Sequence, residues 1–123
     1  MNSRAIICLA MLAASACSKP KPAQISFQKK EDIFTVAKGK QHVSTFKFEN
    51  TGQDTLRLIG VDATCGCTTV DFDSLGIAPG STSEIKVTYD SNIDTTSEVQ
   101  KIVLVESNTI PKLTTLYLMG KIK

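Results

Sequence analysis

The sequence lacks several residues and patterns on which common protein functions depend. Its 123 residues include no tryptophan and one histidine, His42. A Ser-His-Asp or Cys-His catalytic pair would have to use that residue, and a four-ligand zinc site would have no other histidine to draw on. The basic residues are scattered and are not interleaved with aromatic residues, as a nucleic-acid surface would require. We therefore expect a protein that is not an enzyme, needs no cofactor and binds no nucleic acid.

The chain also has no apolar run long enough to cross a bilayer. The run Ala5–Ala14 is far shorter than the roughly 20 residues that a spanning helix needs. It follows Arg4 and leads through small residues to Cys17, which is the arrangement of a secretory signal that ends in a bacterial lipobox. We predict a signal peptide at residues 1–16, cleavage before Cys17 and lipidation of its thiol by acyl chains such as palmitate. An ordinary signal peptide that is cut near Ala16 is the alternative.

Residues 17–24 are predicted to form a short spacer between the lipid and a folded domain. They contain Pro20 and Pro22, which fix φ and remove backbone donors. No acidic residue directly follows Cys17, and some Gram-negative lipoproteins carry an acidic surface-export signal at that place. We therefore expect lipid anchoring to the periplasmic face of the outer membrane of a Gram-negative bacterium.

From residue 25 onward the apolar residues alternate with a period of two, which is typical of β-strands. In Glu84–Asp90, for example, Ile85, Val87 and Tyr89 share one face. The segment Glu98–Ser107 is apolar on both faces, which predicts a strand that is buried on both sides. Further alternating segments are found at 41–50, 55–63 and 113–122. Since turn signals separate these short segments, the pattern predicts an all-β sandwich.

Four motifs occur in an order that is typical of one bacterial family. They are Thr45–Gly52, Ala63–Thr69, Ile77–Ser81 and Ile85–Ser91. Over about residues 30–123 the chain thereby resembles the family catalogued as domain of unknown function 1573. The resemblance implies an immunoglobulin-like β-sandwich of about seven antiparallel strands, of the major-sperm-protein and pilus-chaperone type, at residues 25–123. Members are often lipoproteins, and the resemblance implies no activity.

Cys65-Gly66-Cys67 is the motif after the signal that carries reactive chemistry, and three interpretations compete. The thiols can pack as small apolar groups while Gly66 allows a bend in the chain. They can form a disulfide, although residues i and i+2 of an extended strand lie near the upper limit of disulfide geometry. They can also bind Cu(I) as two thiolates, with His42 as the one histidine available for a third ligand.

These observations favour binding over catalysis. We expect a lipid-anchored, non-enzymatic periplasmic module that recognises a protein partner in the cell envelope. An open strand edge, or the end loops at Cys65–Cys67 and Ala78–Ser81, are the surfaces expected to bind it. The alternative is a thiol redox or Cu(I)-handling protein that uses the Cys65-Gly66-Cys67 motif.

Overall fold

Two four-stranded β-sheets pack face to face in the computed structural model, which describes residues 21–123. The predicted signal peptide and Cys17 lie outside the described residues. The eight strands are β1 (Ile25–Phe27), β2 (Glu31–Val36), β3 (Gln41–Asn50), β4 (Leu58–Ala63), β5 (Thr68–Phe72), β6 (Thr82–Asp90), β7 (Glu98–Ser107) and β8 (Leu113–Ile122). Sheet A has the order β1-β3-β6-β5, and sheet B has the order β2-β8-β7-β4.

The predicted sandwich is confirmed, with two differences in detail. There are eight strands instead of about seven, and β2 pairs with β8 in parallel, whereas the other strand pairs are antiparallel. Both differences have one cause. The chain leaves sheet A after the three residues of β1, crosses through residues 28–30 and continues in sheet B as β2.

The core lies between the two sheets and is formed by the inward-facing residues that the alternation predicts. Sheet A contributes side chains from β3 and β6, and sheet B contributes side chains from β7 and β8. The following are at most 1% exposed: Phe46, Phe48, Ile85, Val87, Tyr89, Val99, Val103, Val105, Leu116 and Leu118. Burying one such side chain stabilises the fold by about 1.5–3 kcal/mol, so apolar packing makes a large contribution to the cohesion of the sheets. The one disulfide in residues 21–123 lies within a loop and does not join the sheets.

The prediction that β7 is buried on both sides is wrong. Val103 and Val105 face the core, but Ile102 and Leu104 are each 39% exposed. They lie on the outer face of sheet B, against which no other element of residues 21–123 packs.

The strand directions give the sandwich two distinct ends. The upper end carries the loops at residues 37–40, 64–67 and 91–97, and the lower end carries those at 51–57, 73–81 and 108–112. Strands of ten residues, such as β3 and β7, separate the two ends by about 33 Å.

Residues 21–24, which the sequence assigns to the spacer, are hydrogen-bonded to the domain and packed against it. The Lys21 N–H donates to Gln53 Oε1 at 2.7 Å, and the Gln53 N–H donates to the Lys21 carbonyl at 3.2 Å. Ala23 is 1% exposed, and a Cβ at Gly52 would lie 2.1 Å from the carbonyl oxygen of Pro22. Lys21, the first residue that the structure describes, therefore lies at the lower end of the sandwich. Within residues 21–123 no helix has the length and apolarity needed to cross a membrane.

Candidate functional site

The Cys65-Gly66-Cys67 motif lies at the upper end, where the chain passes from β4 in sheet B to β5 in sheet A. The two cysteines are joined by a disulfide, and their Cα atoms are 5.2 Å apart. The motif is a turn and not an extended strand, because the Thr68 N–H donates to the Cys65 carbonyl at 3.1 Å. Gly66 is exposed in this turn, and a Cβ there would meet nothing within 4 Å. The turn brings the two Cα atoms well within disulfide range.

The two cysteine residues differ in their exposure to solvent. Cys67 is 3% exposed and belongs to the core, whereas Cys65 is half-buried at its margin. The Cys65 sulfur accepts a hydrogen bond from the Cys67 N–H at 3.2 Å. The structure thus agrees with two of the three interpretations of the motif. The two cysteines form a disulfide, and they also pack against the hydrophobic core. Cys65 is the more exposed residue of the pair.

His42 is not brought together with the two cysteines. Its ring stacks on Phe34 at a centroid distance of 3.8 Å, and its Nε2 lies 2.9 Å from Asp32 Oδ2. In sheet A, β6 lies between β3 and β5. It therefore separates His42, which is on β3, from Cys67, which directly precedes β5. Nowhere in the described part of the chain do three His, Cys, Asp or Glu side chains converge as metal ligands. The three-ligand copper site is therefore not formed.

Asp32, His42 and Ser44 form a polar cluster between the two sheets. Ser44 Oγ donates to Asp32 Oδ2 at 2.5 Å, the same oxygen that His42 contacts. Burial raises the pKa of the Asp32 carboxyl, but the hydrogen bonds from Ser44 and His42 and the nearby Lys29 ammonium together hold it below its ordinary value. The imidazole does not lie between the hydroxyl and the carboxylate, so it cannot act as a base towards Ser44. The cluster connects β2 of sheet B to β3 of sheet A.

A second polar cluster holds the loop at residues 91–97 of the upper end. The buried Tyr89 hydroxyl donates to Asp94 Oδ2 at 2.6 Å, and Lys101 Nζ lies 3.3 Å from the same oxygen. The bond from Tyr89 lowers the pKa of Asp94 far below its usual range, against the opposing effect of burial. Burial and the Asp94 carboxylate raise the pKa of Tyr89. The other Asp94 oxygen accepts from the Thr96 N–H and hydroxyl, so the carboxylate is fully used within the fold.

The upper half of β3 has an open backbone edge. β1 pairs only with Phe48, Glu49 and Asn50, and one further hydrogen bond reaches the Lys47 carbonyl. Because ladder bonds alternate along a strand, the N–H and C=O groups of Gln41, Val43 and Thr45 point to the same side as Lys47. Within residues 21–123 no other strand pairs with them there. Val43 is 53% exposed beside this edge. We call residues 41–46 the open edge.

The other sheet edges carry features that discourage strand addition. β1 is only three residues long, and β4 has a register shift between Leu58 and Gly60. β2 begins with Glu31 and Asp32, and β5 presents the exposed Asp71. Short strands, bulges and charges are the usual protections of sheet edges. The open edge has no Asp, Glu, Lys or Arg, and thus lacks this protection.

The two loops that the sequence singled out lie at opposite ends of the molecule. The Cys65–Cys67 turn is at the upper end. The Ala78–Ser81 turn is at the lower end, where the Gly80 N–H donates to the Asn50 carbonyl at 2.8 Å. They cannot form one binding surface, since the length of the sandwich separates them.

The fold is an immunoglobulin-like β-sandwich that is similar to the fold of PapD-like domains. The chain belongs to the family described as "Protein of unknown function (DUF1573)", whose model matches residues 25–122. The resemblance found in the sequence is thereby confirmed. No curated protein matches the sequence.

Solved structures with little sequence identity share this fold. A protein of unknown function from Porphyromonas gingivalis W83 superposes with a TM-score of 0.75 at 14% identity, over 89% of this chain and 51% of that one. The chain therefore spans about half the length of that protein. The ASH/PapD-like domain 7 of human CEP192 gives 0.68 at 12% identity, over 100% of this chain and 96% of that one. The periplasmic chaperone SfaE gives 0.62 at 10% identity, over 81% and 58%.

Proposed function

We propose that this protein is a non-enzymatic interaction module, held by a lipid on Cys17 at the periplasmic face of the outer membrane of a Gram-negative bacterium. The proposal that the protein binds a partner rests on the open edge. This edge offers unpaired backbone donors and acceptors beside the exposed Val43, which is what an added strand from a partner protein requires. The similarity to PapD-like domains supports an interaction role at the level of the fold.

A photo-crosslinking amino acid at Val43 of the full chain, expressed in a bacterial envelope, tests this function. The expected result is a defined protein adduct at Val43. The adduct should be lost when Thr45 is replaced by proline, because that removes an N–H that faces the open side and leaves the bonds to β6 in place. The matched control is the same reagent at Ile102, an exposed residue in the middle of sheet B.

Equal adduct yields at Val43 and Ile102 would contradict the proposal, as would an adduct at Val43 that is insensitive to Thr45→Pro. The thermal unfolding midpoint of each variant, compared with that of the unsubstituted protein, establishes that the sandwich is intact.

A thiol redox function is the second candidate, and the unequal exposure of the two cysteine residues favours it. A partner thiolate that attacks the Cys65 sulfur would form a mixed disulfide and release Cys67 as a thiolate. The second thiol of the partner would then displace Cys65, leaving this pair reduced and the partner dithiol oxidised. Cu(I) handling would begin from the same reduced pair, since metal ligation requires thiolates.

Thiol counts decide between the two candidates. Redox function predicts no reactive thiol at Cys65 and Cys67 in the purified protein and two after mild reductant. In a Cys67→Ser variant, which cannot form the internal disulfide, it predicts that the Cys65 thiolate attacks the disulfide of an oxidised partner and forms the same mixed disulfide, with release of the partner's second thiol. If the pair resists mild reductant, traps no partner and takes up no Cu(I) after full reduction, the redox and copper functions are excluded. The interaction function instead predicts normal Val43 adducts in the Cys65→Ser, Cys67→Ser variant.

A further inference from the structure

The path of the chain from Cys17 into the domain is short and ends at a fixed point. Lys21 is held to Gln53 on the lower end by two hydrogen bonds. Four residue steps separate Cys17 from Lys21, and these can span at most about 14 Å. The inference that follows rests on the proposed lipid at Cys17. With that lipid in a bilayer, Lys21 and the lower end around it stay within about 14 Å of the lipid-bearing residue.

The lower end presents two large apolar side chains to solvent. Ile110 is 83% exposed and Leu75 is 71% exposed. Their loops flank the same short segment at residues 55–57. On one side Leu56 and Ile77 exchange backbone hydrogen bonds, and on the other side the Arg57 N–H donates to Asn108 Oδ1.

Buried polar groups hold Ile110 in its outward position. The hydroxyls of Ser107 and Thr109, which are 0% and 6% exposed, lie 2.7 Å apart. Thr109 Oγ1 also donates to the Pro111 carbonyl at 2.7 Å, which closes the loop around Ile110. In the neighbouring loop, Asp73 Oδ1 accepts from the Leu75 N–H at 2.8 Å. The two apolar side chains are thus presented by loops that internal hydrogen bonds stabilise.

Charge does not oppose an approach of this end to lipid. Lys21, Arg57 and Lys112 lie there, and Asp54 and Asp73 offset part of their charge. Basic side chains beside apolar ones are typical of surfaces that rest in the headgroup region. Single exposed apolar residues are ordinary on proteins. Ile110 and Leu75 differ because they lie on the end to which the tether is fixed.

We infer that the lower end of the sandwich is a lipid-contact surface, in which Ile110 and Leu75 enter the headgroup region of the leaflet that holds Cys17. The acyl chain then supplies attachment, and the two side chains supply orientation. The domain stands upright on the bilayer, with the Cys65–Cys67 turn directed away from it.

The absence of tryptophan from the chain makes this inference directly testable, because one introduced tryptophan is the only one that emits. The full protein carrying Ile110→Trp or Leu75→Trp is extracted from membranes and reconstituted in phosphatidylethanolamine and phosphatidylglycerol vesicles that contain a lipid brominated in its acyl chain. We expect blue-shifted emission that loses most of its intensity to the bromines. Ile93→Trp is the matched control, since Ile93 is 61% exposed in the loop of the upper end, and its emission should be unchanged by the bromines.

Intact mass of the same sample separates this inference from the proposed anchor. An acylated protein with quenching at residue 110 and none at residue 93 supports both the lipid-contact surface and the lipid anchor. An acylated protein with no quenching at residues 75 and 110, or with equal quenching at residue 93, overturns the lipid-contact surface and leaves the anchor. An unacylated protein that is still quenched at residue 110 keeps the contact and overturns the anchor, and one without quenching overturns both.

Discussion

Among substitutions of single polar residues, we expect the largest loss of stability in the Tyr89–Asp94–Lys101 cluster. Asp94→Ala removes the acceptor of the 2.6 Å bond from Tyr89 and the partner of Lys101 at 3.3 Å. It also removes the acceptor for the N–H and hydroxyl of Thr96. Asp94 is 8% exposed, so water does not readily replace these contacts.

The magnitude follows from what each lost contact leaves behind. Removing one partner of a buried ion pair costs about 3–5 kcal/mol, because the remaining charge is uncompensated. The Lys101 side chain is 18% exposed and recovers part of its hydration, whereas the Tyr89 hydroxyl stays buried without an acceptor. We expect Asp94→Ala to lower the free energy of unfolding by about 3–4 kcal/mol, a large share of the roughly 5–15 kcal/mol typical of a domain. Tyr89→Phe should cost only about 1–2 kcal/mol, because Asp94 keeps its other partners.

The same cluster predicts how stability changes with pH. The pKa of Asp94 is lowered in the folded state, so its contribution is present above the ordinary carboxyl pKa of about 4 and is lost as the pH falls below it. The pKa of Tyr89 is raised, so its contribution is present below about pH 10 and is lost as the pH rises above that value. The difference in stability between the unsubstituted protein and Asp94→Asn should therefore be largest near neutral pH and should shrink in acid.

Urea unfolding at several pH values is the appropriate assay, with an unchanged m-value as the sign that the two states are the same. Two results would refute the reasoning. One is an Asp94→Ala protein within about 1 kcal/mol of the unsubstituted protein, which is too small for a buried charge cluster. The other is a stability difference for Asp94→Asn that stays constant from neutral pH to pH 3.

Three further substitutions test the packing of residues 21–24 and the assignment of the strand faces. Gly52→Ala places a Cβ 2.1 Å from the carbonyl oxygen of Pro22 and should displace residues 21–24. Because the Thr51 amide donates to the Gln24 carbonyl, the displacement should make the hydrogen exchange of that amide faster. Unchanged exchange would contradict the packing of residues 21–24 against the domain. Phe46→Ala should cost about 3–5 kcal/mol in urea unfolding, because Phe46 is 0% exposed. Val43→Ala, at an outward position of the same strand, should cost less than about 1 kcal/mol, and similar losses for the two would contradict the assignment of faces.

The strands with clean alternation were predictable, and the split first strand was not. The bounds predicted for β3, β7 and β8 agree with the structure, because each strand carries two fully buried apolar residues at alternate positions: Phe46 and Phe48, Val103 and Val105, and Leu116 and Leu118. β2 gives no such signal, since Ile33 faces outward next to the inward Phe34 and the charged Asp32 is also inward. In β7 the sequence shows apolar residues on both faces, but whether the outer face is covered depends on the rest of the chain.

The chemistry of the site was predictable only where it is local. Cys65 and Cys67 are two residues apart, so the sequence alone identified them as a candidate disulfide. The role of Asp94 depends on Lys101, which the β6–β7 connection brings back to it. The open edge depends on the order of strands in sheet A, and no property of residues 41–46 reveals it in advance.

The split of the first strand between the two sheets has a mechanical consequence. β1 is bonded along β3 in sheet A, and β2 is bonded in parallel along β8 through six residue pairs in sheet B. Both strands run from the lower towards the upper end, so a pull on the chain at Lys21 acts along their axes. Ladder bonds lie across the strand axis, so such a force loads many of them together in shear and cannot open them one at a time. A tension applied at the N-terminus is thus shared by both halves of the sandwich.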